Sequence, residues 1–501
     1  TRSSAPIFTW SMVSFSEPKA PLLKTLILCL PPDSFSSTVL MCLTATTVGQ
    51  QVDLGSAIVG GNLNVQTQGG DVVQQAPSNN SPNAAMRVAG ATTIDAGTGN
   101  VTLPNLPNQF AGPVRMQAHD VVLAASHGLN LGDSNITGAL TITAATGDVT
   151  QVGALHVAGP TTLTASQGDV RLEDDANTFT QDVVLHAINA SIHASTDLIL
   201  GNSSVTGDLS VKLATGDLTQ TGPLTIAGKT EFMATSGNVM LVDPANVFGD
   251  VVNAQTSGAL SLTSAGPLTM GNVMAQGNAD LKSAGVLNLG QGVYGGKLKA
   301  NSGGADILQS GPIKFVGDTD FDAGNAKIDL FNPNNLWTGI LTFKGGIIMI
   351  NHPVLMNAVS AGTLVVRVET SVVAPTLKVG GDATVPAVQN IGRAAIGTSV
   401  SVAVERAPSA SQSGVIQVNV AAEVAAPGKT FTFELDPHAV AGHAANAPMK
   451  IAQVDGKPMP SWPCDRFRRR PRTSPASAGT ALPTCRWTKT CPTQPRPCGV
   501  M

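Results

Sequence analysis

The strongest constraint on this chain is that it repeats itself. The phrase L-x-[VI]-x-x-x-x-G-[DN]-[VIL]-x-Q runs from Leu140 to Gln151 and returns from Leu209 to Gln220, an offset of 69 residues. Altered copies begin at Leu63 (LNVQTQGGDVVQ) and at Leu298 (LKANSGGADILQ). A second phrase reads ANTF at Ala176 and ANVF at Ala245, with relatives PNQF at Pro107 and NNLW at Asn334. The asparagines of that slot, Asn108, Asn177, Asn246 and Asn335, stand 69, 69 and 89 residues apart. Four copies of one superrepeat therefore fill roughly residues 51–345, and every motif has to be judged against its counterparts.

The irregular spacings carry information. Leu63 to Leu140 is 77 residues, and the excess falls in QAPSNNSPNAA, a polar loop-like insertion. The 89-residue step contains a tandem duplication, LTSAGPLTMG from Leu262 and LKSAGVLNLG from Leu281. Val149 to Val170, Leu218 to Val239 and Ile307 to Ile328 are each 21 apart. The elementary unit is thus about 20 residues, and three such units are expected to make the 69.

Within a unit apolar and polar residues alternate, as in Leu140, Ile142 and Ala144 against Thr141, Thr143 and Ala145. Period two specifies strands, here four to six residues long and cut by Gly, Asp, Asn or Pro. One unit cannot bury its apolar side alone, so units must stack in register. The expected fold is all-β, a right-handed parallel β-helix of ~14 coils and ~65 Å. A seven-bladed propeller needs blades of ~40–45 residues with a tryptophan signature. Trp10, Trp337, Trp462 and Trp487 keep no such period.

Five segments are expected. Residues 1–42 are patternless, and read as unstructured or out of frame; 43–345 form the β-helix. Residues 346–428 hold longer strands without Gly-Asp punctuation, a continuation or cap. Residues 429–463 open a small β module that is not completed. Residues 464–501 form a disordered tail with seven of the fourteen arginines and four of the six cysteines, also readable as out of frame. The other cysteines, Cys29 and Cys42, lie near the start, which leaves a long cysteine-free body. That placement suits export through an oxidising compartment. Cys485 and Cys491 are six apart with no histidine nearby, so no zinc site is expected. The apolar stretch PLLKTLILCL (Pro21 to Leu30) ends at Pro31-Pro32 without a small-residue cleavage site. No run of 18 apolar residues occurs to span a membrane as a helix.

Composition excludes some functions. Charged residues are 12% of the chain and the net charge is −4, which argues against a nucleic-acid partner. Aromatics are 4%, too few for a carbohydrate site built on stacked rings.

The stretch LGNSSVTGDLSVKLATGDLTQTGPLTIAGKTEFMATSGNVMLVDPANVFGDV (Leu200 to Val251) resembles the repeat regions of filamentous haemagglutinin-like adhesins of Gram-negative bacteria. The resemblance covers roughly residues 51–345. It implies a non-enzymatic, secreted or cell-surface β-helix shaft, an internal or C-terminal fragment of a longer protein exported with an outer-membrane partner. The implied partner is a host-cell or surface receptor, glycan or protein, and the chain is expected to be monomeric. QVDGKPMPSW further resembles the start of the immunoglobulin- or cadherin-like modules of such proteins, but the Leu-x-Phe-Asp-like strand that follows there is replaced by Pro463, Cys464 and Asp465. The family's secretion domain carries an Asn-Pro-Asn-Leu type motif; NPNN at Asn332 to Asn335 stands instead in the slot of ANTF and ANVF, and reads as a repeat turn.

Other motifs read as structure for the same reason. GDS at Gly132 to Ser134, an esterase-like triplet, has GNS at Gly201 to Ser203 as its counterpart. Glu173-Asp174-Asp175, a calcium candidate, faces Val242-Asp243-Pro244 one superrepeat on. Phe110, Phe179, Phe248 and Trp337 share one slot, expected three coils apart, and read as core or turn plugs rather than a sugar platform. His186, Asn189 and His193 lack metal spacing on one face. No catalytic, cofactor or metal residue is expected. The alternatives to an adhesin are a β-helix polysaccharide lyase or hydrolase, and a purely structural stalk.

Overall fold

The computed structural model describes residues 42–74 and 85–350 with their side chains. The expectations for the two ends of the chain lie outside the described residues. Two compact units divide after Ser264. Together they comprise about 14 coils of a parallel β-solenoid, with no helix among the described residues.

In the first unit, the strand Leu140–Ala144 buries Leu140, Ile142 and Ala144 and turns Thr141 and Thr143 outward. It pairs in parallel with Thr161–Ala165 one coil later, Leu140 beside Thr161 and Ile142 beside Leu163. Val149 likewise pairs with Val170 and Leu218 with Val239, so the 21-residue echoes are single coils.

Each coil has two sides. Over residues 118–186, the first side holds single long strands, such as Val121–Ala125 and Leu140–Ala144. The second side holds pairs of short strands, such as Val149–Gln151 with Leu155–Val157. Two long strands then follow in succession, Asp182–Ala187 on the first side and Ala190–Ala194 on the second. Beyond that junction the long strands occupy the second side and the short pairs the first. Leu140 and Leu209, identical in the sequence phrase, therefore sit on different sides. The 69-residue superrepeat is seven half-coils, or three and a half coils, and the expectation of three is corrected. Both sides bury the same alternating pattern, so the phrase itself does not register which side it occupies.

At the corners, Gly147 adopts φ 78°, open to glycine but unfavourable for other residues. One coil on, a Cβ on Gly168 would stand 2.1 Å from the carbonyl oxygen of Gly147. The neighbouring aspartate fastens the coils. Asp148 Oδ1 accepts the backbone N–H of Asp169 at 2.9 Å, and Asp169 Oδ1 accepts that of Asn189 at 3.1 Å. Asn189 and Asp208 continue the ladder to Asp208 and Lys229, both at 2.8 Å. A second ladder climbs the other corner through Asp197, Asp217 and Asn238. The Gly-Asp pairs turn the chain and hold the next coil in register.

The recurring asparagine works inside the coil. Asn177 is fully buried and exchanges two hydrogen bonds with Gln151, each 2.9 Å, across 26 residues of chain. Its Oδ1 also accepts the N–H of Leu155 at 2.8 Å, and its Nδ2 donates to the carbonyl of Leu172 at 3.3 Å. Gln220 and Asn246 repeat the arrangement, as do Gln74 and Asn108. In the second unit Gln309 and Asn335 form the same pair.

The second unit replaces aliphatic core residues with aromatics. Tyr294, Phe315 and Trp337 stack rung upon rung, with Phe315 and Trp337 centroids 4.1 Å apart. Tyr294 donates its hydroxyl to the Leu289 carbonyl at 2.9 Å, and burial pushes its phenol well above the usual range.

Replacing Asn177 by Ala leaves the buried Leu155 N–H without its partner, at about 1–3 kcal/mol, and removes both bonds to the half-buried Gln151 amide, which keeps its bond to the Gly153 carbonyl. Urea unfolding of N177A should show a clearly lower midpoint. A contrasting slot is Thr92, Thr161, Thr230 and Thr319, where each side chain is buried and its hydroxyl is unpartnered. Thr161 stacks between Leu140 and Val183. Thr161→Val keeps the shape and removes the orphan, so its midpoint should equal or exceed that of the parent.

Candidate functional site

Sequence-flagged groups resolve mostly into scaffold. Ser134 of the GDS triplet is buried; its Oγ donates to the Gly132 carbonyl and accepts the N–H of Met116 at 3.0 Å. Ser203 does the same between Gly201 and Leu185. In both places one long strand pairs with two short ones, and the serine hydroxyl bridges the gap in the ladder. A hydroxyl held this way is no surface nucleophile.

Asp174 caps its turn, with Oδ1 accepting the N–H of Ala176 at 2.9 Å, and Asp243 and Asn332 do likewise. The backbone N–H of Asn335 also donates to the carbonyl of Asn332, so NPNN is a repeat turn. Phe110, Phe179, Phe248 and Trp337 are all buried core residues. In the first unit the slot recurs after three and a half coils rather than three, with Phe179 on the second side and Phe248 on the first. His186 and His193 also face outward on different sides, and Asn189 belongs to a corner ladder. Among the described residues no group of three His, Cys, Asp or Glu is arranged to hold a metal ion.

A cluster of outward charge lies on the second side of residues 148–212. Lys212 Nζ donates to both oxygens of Asp175, at 3.0 and 3.1 Å, and His193 Nδ1 lies 2.9 Å from Asp175 Oδ1. Sequence inspection did not couple these residues, because Asp175 and Lys212 are 37 positions apart and meet only through stacking. Arg171 bridges Asp148 and Asp169, holding two rungs of the corner ladder. These groups lie on an open sheet face and pair with one another.

A family of repeats of unknown function (DUF5649) matches residues 43–117, 118–186, 187–255 and 276–344, more than half of the chain. The chain belongs to this repeat family. Among curated proteins and solved structures, none matches it. The family repeats at 118 and 187 begin at the junctions where two long strands follow one another, so one family repeat is one set of seven half-coils. Residues 256–275, between the third and fourth repeats, are left over and amount to one coil.

Comparing family repeats separates scaffold from surface. Between residues 138–159 and 207–228, Gly147-Asp148, Gln151, Leu155 and Gly159 return as Gly216-Asp217, Gln220, Leu224 and Gly228. The outward Thr143 and His156 become Lys212 and Thr225. Core and corner are kept while the exposed rows change.

Asp175 is the titrating group of the exposed cluster. The hydrogen bond from Lys212 holds its carboxyl below the usual carboxylate range; partial desolvation opposes this and His193 adds to it. A depressed folded value means the contribution to stability is present above the unfolded carboxylate pKa and is lost as pH falls through the folded one. Solvent screening keeps the effect small. Melting curves of Asp175→Asn and the parent should differ slightly at pH 7 and converge at strongly acidic pH.

Proposed function

We propose that this repeat solenoid is a non-enzymatic adhesin of the filamentous haemagglutinin type, secreted or displayed at a bacterial surface. Its partner is a receptor on a host cell or other surface, of glycan or protein chemistry. One observation carries the reading: the recurring serine, asparagine and corner aspartate are engaged in the scaffold, while the outward residues change from repeat to repeat. A fold that keeps its interior and diversifies its faces is suited to presenting surface. A polysaccharide lyase or hydrolase instead needs acids and bases converging on one substrate position. Asp148 and Asp169 each bind a backbone N–H of the next coil and share Arg171, and Asp175 is paired with Lys212 and His193. Export through an oxidising compartment is supported by Cys42, which is disulfide-bonded. An outer-membrane export partner belongs to the same reading, and nucleic acid does not.

The test is attachment and catalysis measured on one preparation. Beads coated with the full chain should adhere to epithelial cells or abiotic surfaces, and the soluble chain should release no reducing ends or unsaturated products from plant and bacterial polysaccharides. Product release would replace the adhesin with an enzyme. Absence of both would leave a structural stalk.

A further inference from the structure

An odd number of half-coils has a consequence for any change in repeat number. The shared phrase lies on the second side at Leu63, on the first at Leu140 and on the second again at Leu209. One family repeat exchanges the sides, and two restore them. A whole coil exchanges nothing, since Val149 and Val170 belong to the same side.

We infer that the family repeat is a face-exchanging module of the first unit. Loss or gain of a single repeat transfers the outward residues of the following coils in that unit to the opposite side, with no change in their sequence. The corner at Gly147-Asp148 shows why the solenoid accepts this. In a chain lacking residues 148–216, Gly147 runs directly into Asp217. Gly147 and Gly216 share the same kind of corner, with φ 78° and 88°. Asp217 keeps its bond to the N–H of Asn238, and Gln220 keeps Asn246, because these partners follow the junction. Only the corner residues Ala145, Thr146, Gly147 and Asp217 lead from the first-side strand Leu140–Ala144 to Leu218. They round one corner, whereas a return to the first side takes a coil of ~20 residues.

Toward the preceding coil, Leu218, Thr219 and Gln220 then meet Leu129, Asn130 and Leu131, where the intact chain places Val149, Thr150 and Gln151. Their neighbours in the intact chain are Leu198, Ile199 and Leu200, the counterparts of those residues one repeat on. The N–H of Ser134, which donates to the Ala154 carbonyl, finds that of Pro223, the bond that Ser203 makes in the intact chain. The transfer redistributes surface chemistry. Glu231 passes from the second side to the first, and Met240 and Val247 pass from the first to the second. For an adhesin, repeat number then sets which side chains share a face.

Cysteine pairs on otherwise complete chains of different length test this. Adjacent rungs lie ~4.8 Å apart, within reach of the thiol cross-linker dibromobimane, and bridged peptides are identified by mass spectrometry after digestion. In the parent, I199C/T219C should bridge and N130C/T219C should not. In the chain lacking residues 148–216, N130C/T219C should bridge at least tenfold more than T141C/T219C, which places Thr219 on the second side. A lengthened chain carries residues 148–216 twice in succession. There I199C in the first copy should bridge T150C in the second, although Thr150 of the parent lies on the other side. Preferential bridging of T141C/T219C in the shortened chain overturns the inference. So does the absence of the expected bridge from both altered chains, or the failure of both to give the parent's β-sheet circular dichroism.

Discussion

Each coil is held to the next by parallel backbone pairing, and every corner must bring the chain back into that register. The corner ladders show how this is done. A carboxylate or amide oxygen from one coil accepts the N–H at the same corner of the following coil, as Asp148, Asp169, Asn189 and Asp208 do in succession. The corner N–H groups would otherwise lie beyond the last rung of each sheet, where an unmade bond is costly. The fold therefore depends on Asp and Asn beside glycine, and that dependence explains why the phrase recurs.

The same requirement governs what remains for function. Buried polar groups close on one another within the solenoid, as in the Asn177–Gln151 pair and the Ser203 bridge. The exposed ion pairs of Asp175 with Lys212 and His193 lie on one open face. Variation is left to outward rows at the strand spacing of the sheet.

Much of this was legible from residues alone. Alternation at Leu140, Ile142 and Ala144 identified the strands, and the 21-residue step from Val149 to Val170 identified one coil. GDS and NPNN were legible as structure too, since a group that recurs with changing chemistry is a turn or a plug. The reciprocal pairing of Asn177 with Gln151 was not legible, although both residues recur. Their 26-residue separation is one coil plus a short run along the side, and only the stacked backbone makes them neighbours. The same holds for Asp175 and Lys212.

By itself the sequence determined the strand period, the coil length, the corner chemistry and the membership of a repeat. These are local properties, written in side-chain alternation and in the glycine and aspartate of each turn. Only the tertiary structure decided that a repeat holds an odd number of half-coils. Periodicity along a chain carries no label for the side of a solenoid, because both sides bury the same apolar pattern. The consequence is physical: equal slots of successive repeats face different sides, as Thr143 and Lys212 do.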